Sequence, residues 1–236
     1  MTAVFFSQLP DEIGNCTALT EVNFFNNKIL RLPPTFSNLA ALEILNVGGN
    51  KLKTLPDTAK WTAMKEIKCH QNGLIKIPSF AHMAALEIIK MDFNKALEAL
   101  PELGEHKSLT QFEVGSCALS SLPPSMVTWE SLVLLNCATN KITELPPFGL
   151  PALEILNCGS NEITSLPKEL GGCASLKTLF FQGNHVTSVP AELASLEATI
   201  SRVNCGDQKT KGLALDDTLK KLKAKCEERK GRFMGL

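Results

Sequence analysis

The chain of 236 residues contains no tyrosine and only two tryptophans, so phenylalanine supplies most of its few aromatic side chains. It also lacks net charge, with 24 Lys and Arg against 24 Asp and Glu. That balance gives no reason to expect the broad positive footprint with which a protein holds nucleic acid or an anionic membrane. No apolar run approaches the roughly 18 residues that a bilayer-spanning helix needs, so no membrane insertion is expected. The opening Met1-Thr2-Ala3-Val4-Phe5-Phe6 has neither the basic start nor the apolar core of a signal peptide, and lacks the glycine that myristoylation requires. No C-x-x-C or H-x-x-x-H spacing offers a metal site, and neither a phosphate-cradling G-x-x-x-x-G-K-[ST] nor a nucleophile-bearing G-x-S-x-G occurs. Neither a metal nor a cofactor is expected.

What the chain does have is a repeat. From Leu153 it reads Leu-Glu-Ile-Leu-Asn-Cys-Gly-Ser-Asn-Glu-Ile-Thr-Ser-Leu-Pro, and the same template starts at Leu19, Leu42, Met64, Leu86, Leu109, Leu132, Leu153 and Leu176. The fourth and sixth positions are apolar or Cys throughout and alternate with polar neighbours, as a short strand buried on one face requires. The fourth column runs Val22, Leu45, Ile67, Ile89, Phe112, Leu135, Leu156, Leu179, Val203, and the sixth Phe24, Val47, Cys69, Met91, Val114, Cys137, Cys158, Phe181, Cys205. The ninth position is Asn27, Asn50, Asn72, Asn94, Asn140, Asn161 or Asn184, with Cys117 in the fifth repeat. An inward amide there can satisfy the backbone of the turn leaving the strand. A Leu-Pro step then turns the chain, as at Leu32-Pro33, Leu55-Pro56, Leu122-Pro123, Leu145-Pro146 and Leu166-Pro167. The fourth repeat carries one extra residue before Leu100-Pro101, and the Pro-rich sixth predicts an irregular outer arm.

No single repeat can bury its own apolar face, so stacking must, and the array is expected to fold as one domain over 1–236. Its parts are a half repeat at 9–18, repeats over 19–199, and a degenerate repeat with a C-terminal cap helix over 200–236. The fold class expected is α/β: a curved solenoid with a parallel sheet on its concave face and short helical or irregular segments on its convex face. The Leu-Pro step in repeats of about 23 residues resembles intracellular leucine-rich-repeat proteins of the Ras-suppressor, Scribble and erbin type. The resemblance covers roughly Leu9 to Leu213 and implies cytoplasmic scaffolding, often in signalling. It carries no binding site across, because the matching residues are the buried ones.

Asp216 is placed to cap a helix running to about Lys230, with Leu215, Leu219, Leu222 and Cys226 on one stripe. Lys220, Lys221, Lys223, Lys225, Arg229, Lys230 and Arg232 read as a solvated face, and the tail from Gly231 as loose. At the other end, either Phe5 and Phe6 fold over the first strand, or that edge meets another subunit.

The eight cysteines do not read as a secreted disulfide framework. Four share one inward column, while Cys16 and Cys173 sit far apart along the array, so reduced structural thiols and a cytosolic setting are expected. His70 and Asp92 share an outward column, with Ser116 one repeat on, but no oxyanion hole or deep pocket accompanies them, so no catalytic residues are assigned and the chain is not expected to be an enzyme.

The expected function is a scaffold or adaptor that binds a protein partner through its concave strand face. The candidate residues are Ile44, Asn46, Lys68, His70, Ile88, Lys90, Asp92, Glu113, Leu134, Asn136, Ile155, Asn157 and Phe180. Four apolar side chains in one outward column, beside asparagines and small residues, suggest a shallow trough. The charged middle of Lys68, Lys90, Asp92 and Glu113 is expected to set a partner's orientation. The alternative is a regulatory subunit of a signalling enzyme such as a phosphatase, small GTPase or cyclase.

Overall fold

The structure is a computed structural model that describes residues 6–209 and 212–235. Ten strands of three residues each form one sheet in chain order: β1 (Glu21–Asn23), β2 (Ile44–Asn46), β3 (Glu66–Lys68), β4 (Ile88–Lys90), β5 (Gln111–Glu113), β6 (Leu134–Asn136), β7 (Ile155–Asn157), β8 (Thr178–Phe180), β9 (Arg202–Asn204) and β10 (Arg232–Met234). Every neighbouring pair is parallel and in register, so equivalent residues of successive repeats lie side by side. Parallel strands need a crossover, and here each crossover is the outer arm of one repeat. The arms are short 3-10 turns at Pro34–Asn38, Pro124–Thr128, Lys168–Gly172 and Ala191–Ala198, each opening after a proline that fixes φ. The arms of the second, third, fourth and sixth repeats have no helical turn and are irregular.

Both inward strand columns form the core. All fourth-column residues are buried, and so is the sixth column from Val47 to Cys205, with Phe24 only partly covered. The ninth-column asparagines form the expected ladder. Asn72 Nδ2 donates to the carbonyls of Val47, Cys69 and His70 at 2.9, 3.1 and 3.1 Å, and its Oδ1 accepts from Leu52 N at 2.9 Å. Each amide thus satisfies its own turn and that of the repeat before it. Gln208 extends the ladder into the ninth repeat, donating to Phe181 and Cys205 and accepting from Val186 N. The residue before each ladder position is left-handed, with φ between 50° and 66° from Asn26 to Asp207.

The C-terminal end departs from expectation. The helix α1 (Asp217–Glu228) forms, capped by the Asp216 carboxylate accepting from Leu219 N at 2.8 Å. Leu219, Leu222 and Cys226 are buried, but Leu215 lies outside the stripe and is exposed, since it precedes the cap. The tail is not loose: Arg232 N donates to Ser201 O and Cys205 N to Met234 O, so residues 232–234 add a strand to β9. Only glycine fits at 231, because a Cβ there would collide with the Ser201 carbonyl. Nor is Arg229 simply solvated. Its guanidinium donates to Ile200 O at 2.9 Å and Ala198 O at 2.8 Å, tying α1 to the ninth repeat.

At the N-terminal end, Phe5 lies outside the described residues. Phe6 does not cover β1. Its carbonyl accepts from Lys28 N and its amide donates to Asn27 Oδ1, which leaves its ring exposed.

Candidate functional site

The strand residues flanking each buried centre face outward and line the concave surface. Register decides which of them touch. Leu134 lies directly beside Ile155, and Asn136 beside Asn157, with Phe180 next in line. Ile44 and Ile88 are instead separated by Glu66. The expected apolar column is therefore one contiguous pair and two isolated side chains. Ile155 is its most exposed member at 36%.

The charged middle is largely spent within the face. Lys68 Nζ pairs with Glu66 at 2.5 Å, and Lys90 Nζ with Glu113 at 3.0 Å. Glu113 also accepts from Gln111 Nε2 at 2.6 Å. A partner must compete with these half-exposed pairs, so their steering of its orientation is weaker than isolated charges would give.

The asparagines of the fifth column have a local task that the sequence reading missed. Asn46, Asn136 and Asn157 each accept, through Oδ1, the amide two residues on, belonging to Gly48, Ala138 and Gly159. These turns end the strands. The fifth repeat has Glu113 at that position, and Gly115 N is taken instead by Asp92 Oδ1 from the repeat before, at 2.9 Å. Asn136 Nδ2 approaches the same oxygen at 3.5 Å. Burial, and then the like charge of Glu113, push the Asp92 carboxyl up to about 6.

His70 and Asp92 are thus not coupled: the Asp92 oxygen faces Gly115, and His70 leans the other way, over Gly48. A Cβ on Gly48 would come within 2.5 Å of the His70 ring. Phe25 closes on His70 from the first repeat, with ring centroids 5.7 Å apart. Burial, and then the neighbouring Lys90, lower the His70 pKa. Gln182 lies over Gly159 in the same manner. Long side chains next to glycine in the seventh column were the available sign, and they bring Phe25 and Gln182 onto the face.

All eight cysteines are free. Burial raises the thiols of Cys69, Cys137 and Cys158, the last to about 12, which makes them unreactive. Among the described residues, no group of three or more His, Cys, Asp or Glu is placed to hold a metal, and no helix is long and apolar enough to cross a membrane. A hollow of about 350 Å³ lies off this face, between Leu-Pro steps, lined by Ser121, Leu122, Pro124, Glu144 and Leu145 to Pro147.

Comparison with known proteins supports the repeat class. The family model described as "Leucine Rich repeats (2 copies)" matches residues 130–172. No curated protein matches. A leucine-rich-repeat protein of Leptospira interrogans superimposes with a TM-score of 0.83 at 25% identity, over 98% of this chain and 58% of that one. The plant peptide hormone receptor RGFR1, solved in complex with RGF2, gives 0.74 at 22% identity, over 86% of this chain and 34% of that one. The functional domain of InlJ from Listeria monocytogenes, described as including a cysteine ladder, gives 0.74 at 23%, over 89% and 44%. The chain spans less than two thirds of the length of each.

Proposed function

Starting from its fold as a leucine-rich-repeat solenoid, we propose that this protein is an interaction scaffold that holds a protein partner against the concave strand face. The observation that carries the reading is the adjacent pair Leu134 and Ile155, with Phe180 one strand further on, open on a rigid sheet. Apolar side chains held by a sheet bind at low entropic cost, because the backbone around them is already fixed. The receptor RGFR1, whose repeats superimpose on this chain, is a protein of this fold solved in complex with RGF2.

Placement near the Ras-suppressor, Scribble and erbin type rests on the Leu-Pro step. A reducing, cytoplasmic setting is supported by the eight free cysteines. The edge of β1, which Phe6 does not cover, leaves self-association as a second part of the proposal, tested by mass in solution.

The test of the scaffold is site-specific photo-crosslinking. A photoreactive residue at Ile155 or Phe180 should trap the partner, and one at the convex positions Glu130 or Lys168 should not. Trapping from the convex side alone would sink the concave-face reading. The regulatory-subunit alternative predicts phosphatase, GTPase or cyclase activity travelling with the purified complex.

A further inference from the structure

Between each strand and its Leu-Pro step the chain crosses one flank of the solenoid. Backbone bonds hold neighbouring crossings together, such as Lys51 N to Ile29 O at 3.0 Å and Ile75 N to Lys53 O at 3.0 Å. Along this flank the cations concentrate in the early repeats. The later ones present mainly hydroxyls, at Ser120, Ser121, Thr143, Thr164, Ser165, Thr187 and Ser188, with Lys141, Glu144, Glu162 and His185 among them. The first four present Arg31, Lys51, Lys53, Lys76 and Lys95.

None of these five cations has an ion-pair partner among the described residues, whereas Lys65, Lys68 and Lys90 elsewhere in the same repeats are all paired. The Lys53 ammonium lies over Gly73, where no side chain stands in its way. On the acidic side, Glu98 lies on the same flank, and Asp57 lies beyond the Leu-Pro step in a groove of about 250 Å³ that it shares with Lys76.

Set among the cations are three of the most exposed large apolar side chains: Leu30 at 54%, Ile75 at 53% and Phe93 at 51%. Phe93 is held at φ 58°, a left-handed conformation costly for a bulky residue. The left-handed turn is common to every repeat, and at Phe93 it presents a large exposed ring to solvent.

We infer that this flank is a second docking surface, separate from the concave face, and that it takes an acidic protein segment carrying spaced large apolar side chains. Unpaired lysines around aliphatic anchors match such a segment in both charge and apolar content. The observations favour protein over nucleic acid, because only Phe93 offers bases a ring to stack on, while the other two anchors, Leu30 and Ile75, are aliphatic. They favour it over a lipid surface, because three separated side chains offer far less apolar area than an interfacial helix. Leu30 and Ile75 are two repeats apart, about 10 Å at the usual strand spacing. An extended polyproline-II segment returns to the same face every third residue, about 9 Å on, so leucine at every third position fits the pair.

The probe is a fluorescein-labelled peptide of about fifteen residues, glutamate with leucine at every third position. Its binding to the full chain is read by fluorescence anisotropy. Lys51→Glu with Lys53→Glu should weaken binding about tenfold or more, and Leu30→Ser with Ile75→Ser by a similar factor. Lys141→Glu, and the concave pair Lys68→Glu with Lys90→Glu, should leave it unchanged, which separates this surface from the concave one. All are exposed or half-exposed positions, and melting curves confirm folding. Three results would overturn the proposal: no binding, equal binding of a peptide with serine for leucine, or insensitivity to the flank variants. Tighter, flank-dependent binding of phosphatidylserine vesicles or of a single-stranded oligonucleotide would overturn it in favour of that other class.

Discussion

The amide of Leu97 donates to the carbonyl of Asn94 at 2.9 Å. In neighbouring repeats the equivalent amide is taken by the next repeat's ladder asparagine, as Leu74 N is by Asn94 and Leu119 N by Asn140. The difference is the extra residue of the fourth repeat: Lys95 and Ala96 stand between Asn94 and Leu97, where other repeats have a single residue. The longer link lets the turn close on itself. The next ladder position therefore needs no acceptor, and Cys117 is tolerated there, its thiol donating to Met91 O and Gly115 O. Two irregularities of the sequence are one structural event. Cys117→Asn alone should change stability by about 1 kcal/mol or less, while Asn140→Cys should cost about 2 kcal/mol, because it orphans a buried amide. Deleting Ala96 should destabilise, and adding Cys117→Asn to the deletion should restore part of the loss. Chemical denaturation of the four proteins gives the coupling energy, and additivity would refute the link.

This pair also shows what the sequence made legible. The buried columns were readable because burial imposes a residue type at each position. The extra residue and Cys117 were each visible, but their connection was not, since it depends on which amide a given carbonyl faces. The concave residues were readable as a face and not as contacts: alternation assigns Lys68 and Lys90 outward but does not reveal their pairing with Glu66 and Glu113. The tenth strand was missed because Arg-Phe-Met carries no turn signal or ladder residue, and is ordered by Gly231 and Arg229 packing on the ninth repeat.

Asp92 gives a pH-dependent prediction. Its folded pKa, about 6, lies above the ordinary carboxylate value near 3.9. The folded state therefore holds this proton more tightly than the unfolded state does. Above pH 6 the buried charge is a penalty, and the penalty disappears as pH falls from about 6 to about 4. Asp92→Asn keeps an oxygen for Gly115 N and removes the charge. It should stabilise the protein by about 2 kcal/mol at pH 7 and by little at pH 4. His106 is buried, and burial lowers its pKa, so its protonation on unfolding works in the opposite direction. The difference between variant and wild type cancels that contribution. Urea midpoints at the two pH values check the expectation, and an equal gain at both would contradict it.

Thr139 sits at φ 59°, where a β-branched side chain is strained, while Gly49 and Gly183 hold the same position without cost. Asparagine tolerates this region and occurs here as Asn26. Thr139→Asn should stabilise by about 0.5–1 kcal/mol, read as a higher melting temperature. Ser160→Val, its mirror, should destabilise by at least as much.

Arg229 holds the tenth strand in place from outside the sheet. Its two bonds, to Ile200 O and Ala198 O, fix the C-terminal end of α1 against the ninth repeat. Gly231 follows two residues later and delivers Arg232 to Ser201 O. Without the guanidinium, the carbonyls of residues 198 and 200 lose a charged donor and the helix end is released. The consequence should be local, because in a stacked array each repeat depends on its neighbours alone. Arg229→Ala should speed exchange of the Cys205 amide, which donates to Met234 O across β9 and β10, by about tenfold or more. Exchange at Cys69 N, bonded to Lys90 O in the middle of the array, should be unaffected. Hydrogen exchange resolved by residue distinguishes this from general loosening: equal acceleration at both amides would mean that the guanidinium supports the whole solenoid and not its last strand.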